Sequence, residues 1–561
     1  MGSMIRESRV ARALVVPVAV LVLWTVVSSV GLVRPAILPA PQDILDALWS
    51  IRELVPALCG KVLARAGWGL LLGGLPGIVV GLVFGYSSWA RERFLFSVDV
   101  LRLIPPLVLL QFLVQLSVVG GGFATRPGLA LVTVGVFPIV AIRTVAMFRV
   151  SDPTMPLPAL ARRGLTSRGD RDAVPPDMIA RSLDTFRLAV ATALGLAVAL
   201  EVSGLGPLVT SARLDIQSES TVALMTVLVV FASITIGADL ALRAVTRAVT
   251  GWREQGSGRS GLPTPISEVA ESGEVEESAA APAGQRVGIH SRIMLYRLGL
   301  LLAVLIVWVW VAGGRHAYAT ALPHPWDLVE LLTGEGGYGF ADEPFVTALL
   351  AAAWTTVRGV LLGLLIGTAC SVVVVVVLVG SRSARDLLAF SLEIVRPTPL
   401  YIGAALAPVW FGLGPASQVG AVAFGALIIL TVHLSDAVGL VSEGPTRADV
   451  ATGASQARER LTTVVPAMLP HLIAGLRLAV AAAWGLSLLP ELMVGTLVQL
   501  PGLTHLALRA YLHLDWAPGL LITLLYAGMA ILSDYVLRTV ARRYGTPYTP
   551  MGLVGQQLPQ S

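Results

Sequence analysis

A lysine is the first residue to question for chemistry. Lys61 is the only one in 561 residues and it follows Gly60, as the lysine of a phosphate-binding loop does. That loop needs Ser or Thr next, because the lysine reaches the phosphates while the hydroxyl holds magnesium. Val62 stands there instead, so Lys61 marks no such nucleotide site. The seven histidines form no His-Glu-x-x-His or paired-ligand pattern. Cys59 and Cys370 have neither framework nor metal spacing and read as packing residues. No paired carboxylates, Ser/His set or metal cluster converges, which argues against a membrane-embedded enzyme. No metal and no cofactor are expected on this chain.

The other residues able to act are ionisable groups inside apolar stretches, where each costs roughly 2.5–3.5 kcal/mol to insert. Glu201 and Glu491 occupy matching places near the outer ends of two such stretches. They either face a pore and shape its charge, or they bond structurally to a neighbouring helix or to headgroups. Arg102 and Arg396 open two further stretches beside Pro105, Pro106, Pro397 and Pro399. They either contribute to an inner gate or attract an anion, or they are arginines snorkelling to the interface. Asp239 and Asp534 lie near inner ends and read as caps or snorkelling groups.

These residues are positioned by an all-α, polytopic membrane protein. Hydrophobic residues make up 55% and charged residues 13%, about half the charged fraction of a soluble domain. Twelve stretches are long enough to cross a bilayer, at 13–31, 62–85, 97–119, 128–148, 186–204, 221–245, 294–313, 355–379, 392–412, 418–440, 476–495 and 516–537. The first is longer than a signal-peptide core and is expected to be retained. With the N-terminus in the cytoplasm, the outer connections hold only Arg34, Arg52, Lys61, Arg126, Arg213, Arg315 and Arg509. Most other basic residues fall inside, so both ends are expected in the cytoplasm. That topological clustering argues against nucleic-acid binding despite a formal charge of +5. Residues 251–290, rich in Gly, Ser, Pro, Ala and Glu, read as a disordered cytoplasmic linker.

The chain repeats itself. Leu38-Pro39-Ala40-Pro41 returns as Leu322-Pro323-His324-Pro325, and Phe186-Arg187-Leu188-Ala189-Val190-Ala191 as Leu476-Arg477-Leu478-Ala479-Val480-Ala481. Arg102 with its prolines returns as Arg396, and Glu201 as Glu491. The expected organisation is a first half at 1–250, the linker at 251–290, a second half at 291–545 and a cytoplasmic tail at 546–561. Six spans per half make the halves parallel repeats about an axis along the membrane normal, with a pore between them. One fused chain then does the work of two subunits.

The longest inner loop of each half precedes its fifth span. In the second half it runs Arg447-Ala448-Asp449-Val450-Ala451-Thr452-Gly453-Ala454-Ser455 and on to Val464-Val465-Pro466-Ala467-Met468-Leu469-Pro470. Small residues let a partner approach the backbone closely, and Pro466 breaks the loop helix and restarts the chain. The glycine-to-proline spacing resembles the EAA loop of ABC importer permeases. The Leu-Pro-x-Pro segments, Arg396-Pro397-Thr398-Pro399 and the stretch from Leu476 to Glu491 resemble the nitrate/sulfonate/taurine type in particular. The loop departs from the family at Arg447, where glutamate is usual, and at Asp449, where alanine is. The first-half loop, with Ala161 and Gly164, is shorter-spaced and more charged.

The resemblance implies a coupling helix docking on an ATPase subunit; the plainer alternative is an interfacial connector. It implies one copy of this chain with two ABC ATPase subunits that carry the ATP and magnesium, either identical or different. It also implies an extracytoplasmic binding protein, a lipid surround in a bacterial plasma membrane, and a small solute such as a sulfonate or nitrate-like anion. The competing expectation is a 6+6 secondary transporter of the major-facilitator type. Segment Gly85 to Arg93 lacks the Asp-Arg pairing expected there.

Overall fold

The computed structural model describes residues 2–110, 113, 126–150, 176–202, 220–250, 299, 302–314, 322–333, 344–412, 414–443, 465–494, 502–513 and 515–544. Among them the regular elements are all α-helices. They are α1 (Gly2–Ser29), α2 (Pro41–Ser50), α3 (Val55–Tyr86), α4 (Ser88–Leu103), α5 (Pro127–Val150), α6 (Pro176–Val202) and α7 (Ser220–Thr250). Then follow α8 (Leu302–Ala312), α9 (Pro325–Thr333), α10 (Phe345–Gly380), α11 (Arg382–Val395) and α12 (Leu400–Phe411). The last are α13 (Pro415–Glu443), α14 (Val465–Val494), α15 (Leu503–Leu512) and α16 (Trp516–Tyr544).

Eight of these, α3, α5, α6, α7, α10, α13, α14 and α16, are long and apolar enough to cross a membrane. Twelve such stretches were expected, and proline accounts for part of the difference. The stretch 97–119 is not one helix. α4 ends at Leu103 and Ile104 is extended (ψ 118°) before Pro105 and Pro106. The stretch 392–412 is divided into α11 and α12 around Pro397 and Pro399. A proline lacks the N–H that continues a helix and pushes its predecessor toward extended geometry. Arg102 and Arg396 therefore sit at breaks between two helices rather than at the start of one. The apolar parts of α1 and α8, Leu14–Ser29 and Leu302–Ala312, are shorter.

The tightest packing joins α3 to α5 and α10 to α13. α3 and α10 each turn a glycine-lined face inward and a large apolar face outward. On α3, Gly69, Gly73, Gly77 and Gly81 are buried while Leu71, Leu75 and Val79 are exposed. On α10, Gly359, Gly363 and Gly367 are buried while Leu361, Leu365 and Val373 are exposed. Lipid is as apolar as leucine, so helices in a bilayer associate through close backbone contact rather than through hydrophobic burial. A Cβ added at Gly363 would lie 2.8 Å from the Val419 carbonyl oxygen, and one at Gly77 would lie 2.8 Å from that of Phe137.

Short motifs recur with the same atoms. Trp24 Nε1 donates to Pro39 O, and Trp308 Nε1 to Pro323 O, both at 2.9 Å. Asp43 accepts from the Ala40 N–H at 3.0 Å and Asp327 from the His324 N–H at 2.8 Å, each tying down the start of a short helix that begins with proline. Ser87 and Ser381 each cap the next helix by accepting from a backbone N–H at 3.2 Å, from Ala90 and Ala384. Contacts also cross between the two parts of the chain. α1 packs on α11, α6 on α12 and α4 on α16.

Because the glycine face admits no side chain, Gly363→Leu is expected to destabilise the protein by roughly 1–3 kcal/mol through overpacking. Leu365→Ala on the lipid-facing side should change the apparent melting temperature in detergent far less. Thermal unfolding followed by tryptophan fluorescence compares the two; equal shifts would contradict the packing described.

Candidate functional site

Between the two parts of the chain lies a cavity of about 300 Å³. Arg102, Pro106, Gly135 and Gly195 line it from one side, and Arg396 and Tyr401 from the other, with Pro399 beside them. The helix breaks therefore expose the cavity to side chains from both parts. Pro105 packs instead against α14, 3.6 Å from where a Cβ on Gly485 would stand. Glu201 and Glu491 do not line the cavity; they are 0% and 3% exposed.

Two ion ladders run between the parts. In one, Arg187 pairs with Asp239 at 2.9 Å, Asp239 with Arg243 at 2.6 Å, and Arg243 with Glu393 at 2.7 Å. In the other, Arg477 pairs with Asp534 at 3.2 Å, Asp534 with Arg538 at 2.5 Å, and Arg538 with Asp99 at 2.6 Å. Every rung of the first has its counterpart in the second, and each ladder ends on a carboxylate from the other part of the chain. Asp239 and Asp534 are thus neither free caps nor snorkelling groups. The two cavity arginines are tied differently. Arg102 pairs with Asp99 at 2.9 Å, whereas Arg396 pairs with Asp436 through both carboxylate oxygens, at 2.7 and 2.8 Å. At the position matching Asp436 the first part has Ala146.

About 21 Å further along α6 and α14, at 1.5 Å per residue, sit Glu201 and Glu491. Arg65 from α3 pairs with Glu201, and Gly128 on α5 leaves room for its side chain. Gln418 from α13 donates to Glu491 at 3.1 Å, and Gly359 on α10 leaves room for it. The bulky partner and the glycine have changed helices. Glu491 also accepts from the backbone N–H groups of Thr504 at 2.9 Å and His505 at 3.1 Å. It thereby satisfies the first turn of α15, whose N–H groups have no partners within the helix. Tyr526, fully buried, bonds Thr504 Oγ1 at 2.9 Å beside it.

The expected docking residues Ala161, Gly164, Arg447, Ala448, Asp449, Ala451, Gly453, Ala454 and Ser455 lie outside the described residues. Pro466 is the second residue of α14, a position where a helix tolerates proline. Sequence reading missed Arg65, Gly128, Gly359 and Gln418, and it missed the carboxylates Asp99 and Glu393. The available signal was that Asp239/Arg243 and Asp534/Arg538 stand four apart on a helix face.

Removing one member of a buried ion pair leaves a bare charge and costs roughly 3–5 kcal/mol. Arg65→Gly is therefore expected to destabilise the protein strongly. Arg65→Gly combined with Gly128→Gln copies the arrangement around Glu491 and should recover most of the loss. Detergent thermal stability of the single and double variants measures this; an unrescued double variant would refute the exchange.

No family model matches the chain, and no solved structure does. Curated relatives do. The taurine transport system permease protein TauC of Escherichia coli is 28% identical over 212 residues, 37% of this chain and 74% of that protein. SsuC of Bacillus subtilis, described as an aliphatic sulfonates transport permease, is 26% identical over 258 residues, 44% of this chain and 89% of that protein. An ABC transporter permease protein of Methanocaldococcus jannaschii is 25% identical over 156 residues, 28% of this chain and 57% of that protein. Along stretches that fill less than half of it, this chain, whose described residues form α-helices as their regular elements, is related to the ABC transporter permeases.

Proposed function

We propose that the chain is the transmembrane translocation subunit of an ATP-driven importer, with two permease halves fused end to end. The observation that carries this reading is one of length. Most of a single relative aligns within less than half of this chain, and the paired ion ladders give the remainder an equivalent partner. On this reading the halves are parallel six-span repeats in a bacterial plasma membrane, with twelve crossings and both ends in the cytoplasm. The two ladders sit at their inner ends.

Two ABC ATPase subunits bind the ATP and magnesium outside this chain. An extracytoplasmic binding protein delivers a small solute, and one copy of the chain forms the pore. The names of the relatives favour a sulfonate or a similar small anion as the solute. The loop from Arg447 to Ser455 docks on one ATPase, and the degenerate loop with Ala161 and Gly164 on the other. The chemistry demanded of this chain is then mechanical. Closure of the ATPases moves the docking loops, and the halves rock about the cavity between them. The ladders join charges of one half to charges of the other, so that motion must shear or preserve them as units.

Gly453→Asp should leave the protein inserted and folded but abolish its capture of the ATPase subunits. Co-purification from membranes in mild detergent, with solute-stimulated ATP hydrolysis as the second readout, tests this. Full ATPase capture and full transport by that variant would remove the docking assignment. Uptake by the unmodified chain without any nucleotide-hydrolysing subunit would remove the whole reading.

A further inference from the structure

α10 is 36 residues long, and Arg358 is its only charged residue. From Gly359 to Val379 the helix carries no charge. At 1.5 Å per residue that run is about 30 Å long, the thickness of the hydrocarbon layer. Ser381 then caps α11, the helix that carries the ladder residue Glu393. That turn marks one boundary of the hydrocarbon, so Arg358 falls at the other, at the depth of the headgroups. The ladder arginines lie on the opposite side of the membrane, and a bias of basic residues toward one side does not account for this one.

Arg358 stands on the outward face of the helix. Leu350, Trp354, Arg358, Leu361 and Leu365 follow one another at helical spacing, and all five are exposed. The glycine face opposite is the one that packs on α13. Among the described residues Arg358 makes no hydrogen bond or ion pair, and the Trp354 indole N–H has no acceptor. A guanidinium and an indole N–H one turn apart, bordered by leucines, must find their acceptors in the bilayer itself. A phosphodiester matches the fork of the guanidinium, an ester carbonyl suits the indole, and Leu361 and Leu365 continue along an acyl chain. No carboxylate offsets the charge of Arg358, so a lipid with a net negative charge neutralises it, whereas a zwitterionic lipid brings a second cation. The first part of the chain lacks the pair. Aligning its buried glycines Gly69, Gly73 and Gly77 with Gly359, Gly363 and Gly367 puts Trp68 at the place of Arg358 and Ala64 at that of Trp354.

We propose that Arg358 and Trp354 form a site for one anionic phospholipid of the phosphatidylglycerol type, in the leaflet away from the ion ladders, and that the first part of the chain has no counterpart to it. The bound headgroup fixes the depth of α10 in the membrane on this side alone. The inference goes beyond the translocation reading and does not depend on it, since it needs only that α10 cross the bilayer.

Native mass spectrometry of the full chain in detergent tests this, with phosphatidylglycerol and phosphatidylethanolamine of the same acyl chains as the two titrants. Arg358→Trp installs the residue that the first part already carries. It is expected to weaken the tightest phosphatidylglycerol binding about fivefold and to leave phosphatidylethanolamine binding unchanged. Lys61→Gln removes an exposed cation two turns further from the hydrocarbon than Trp68 and should alter neither. Trp68→Arg combined with Ala64→Trp leaves Arg358 in place and should add a second phosphatidylglycerol of similar affinity. Unchanged phosphatidylglycerol binding in Arg358→Trp, an equal loss of both lipids, or an equal loss in Lys61→Gln would each overturn the proposal, as would a Trp68→Arg, Ala64→Trp chain that binds no second lipid.

Discussion

A charge inside a hydrocarbon layer has no water to turn to, so its partner must come from the protein itself. The constraint is strictest for the fully buried Glu201 and Glu491, and it relaxes along the ladders, where Glu393 is exposed. Asp99 and Glu393 are each met by an arginine from the far part of the chain. Those arginines, Arg538 and Arg243, are held in turn by an aspartate one helical turn away, and the aspartates by Arg477 and Arg187. The two ladders make the association of the parts a matter of charge neutralisation as well as of fit. Their value lies less in net stability, which desolvation offsets, than in admitting one register between the parts, since any slip would leave several charges bare.

The buried carboxylates further along the same helices obey the same rule by two routes. Glu201 has a cation and Glu491 has neutral donors. In both cases a long polar side chain reaches the carboxylate across a glycine on the facing helix. The helix that supplies the side chain and the helix that supplies the glycine are interchanged. A second exchange, Leu109 and Val134 against Gly403 and Phe424, follows the same logic with apolar groups. Close packing allows only one bulky group per contact, so a change on one helix requires a compensating change opposite. Differences between the parts therefore come in pairs.

The prolines serve this scheme by interrupting helices where cavity-lining groups are needed. Pro105 and Pro106 end the continuity of α4, and Pro397 and Pro399 divide α11 from α12. A continuous helix would carry Arg102 and Arg396 on a regular face. The breaks place them at the ends of helices, at the edge of the cavity and within reach of Asp99 and Asp436. Interrupted helices at membrane depth are tolerated where they line a cavity or are buried in protein.

The sequence by itself was enough to declare an all-helical membrane protein, because hydropathy and helix length are properties of single segments. It was enough to pair Glu201 with Glu491, Arg187 with Arg477 and Arg102 with Arg396, because those correspondences need only local motifs. It also showed that the single lysine lacks the hydroxyl neighbour a nucleotide loop needs. Partnership was decided by the tertiary structure. Nothing in the spacing of Arg65 and Glu201, or of Arg538 and Asp99, announces a bond, since each joins helices far apart in the chain. Reading 97–119 and 392–412 as unbroken spans failed because hydropathy counts apolar residues and ignores the missing N–H of proline.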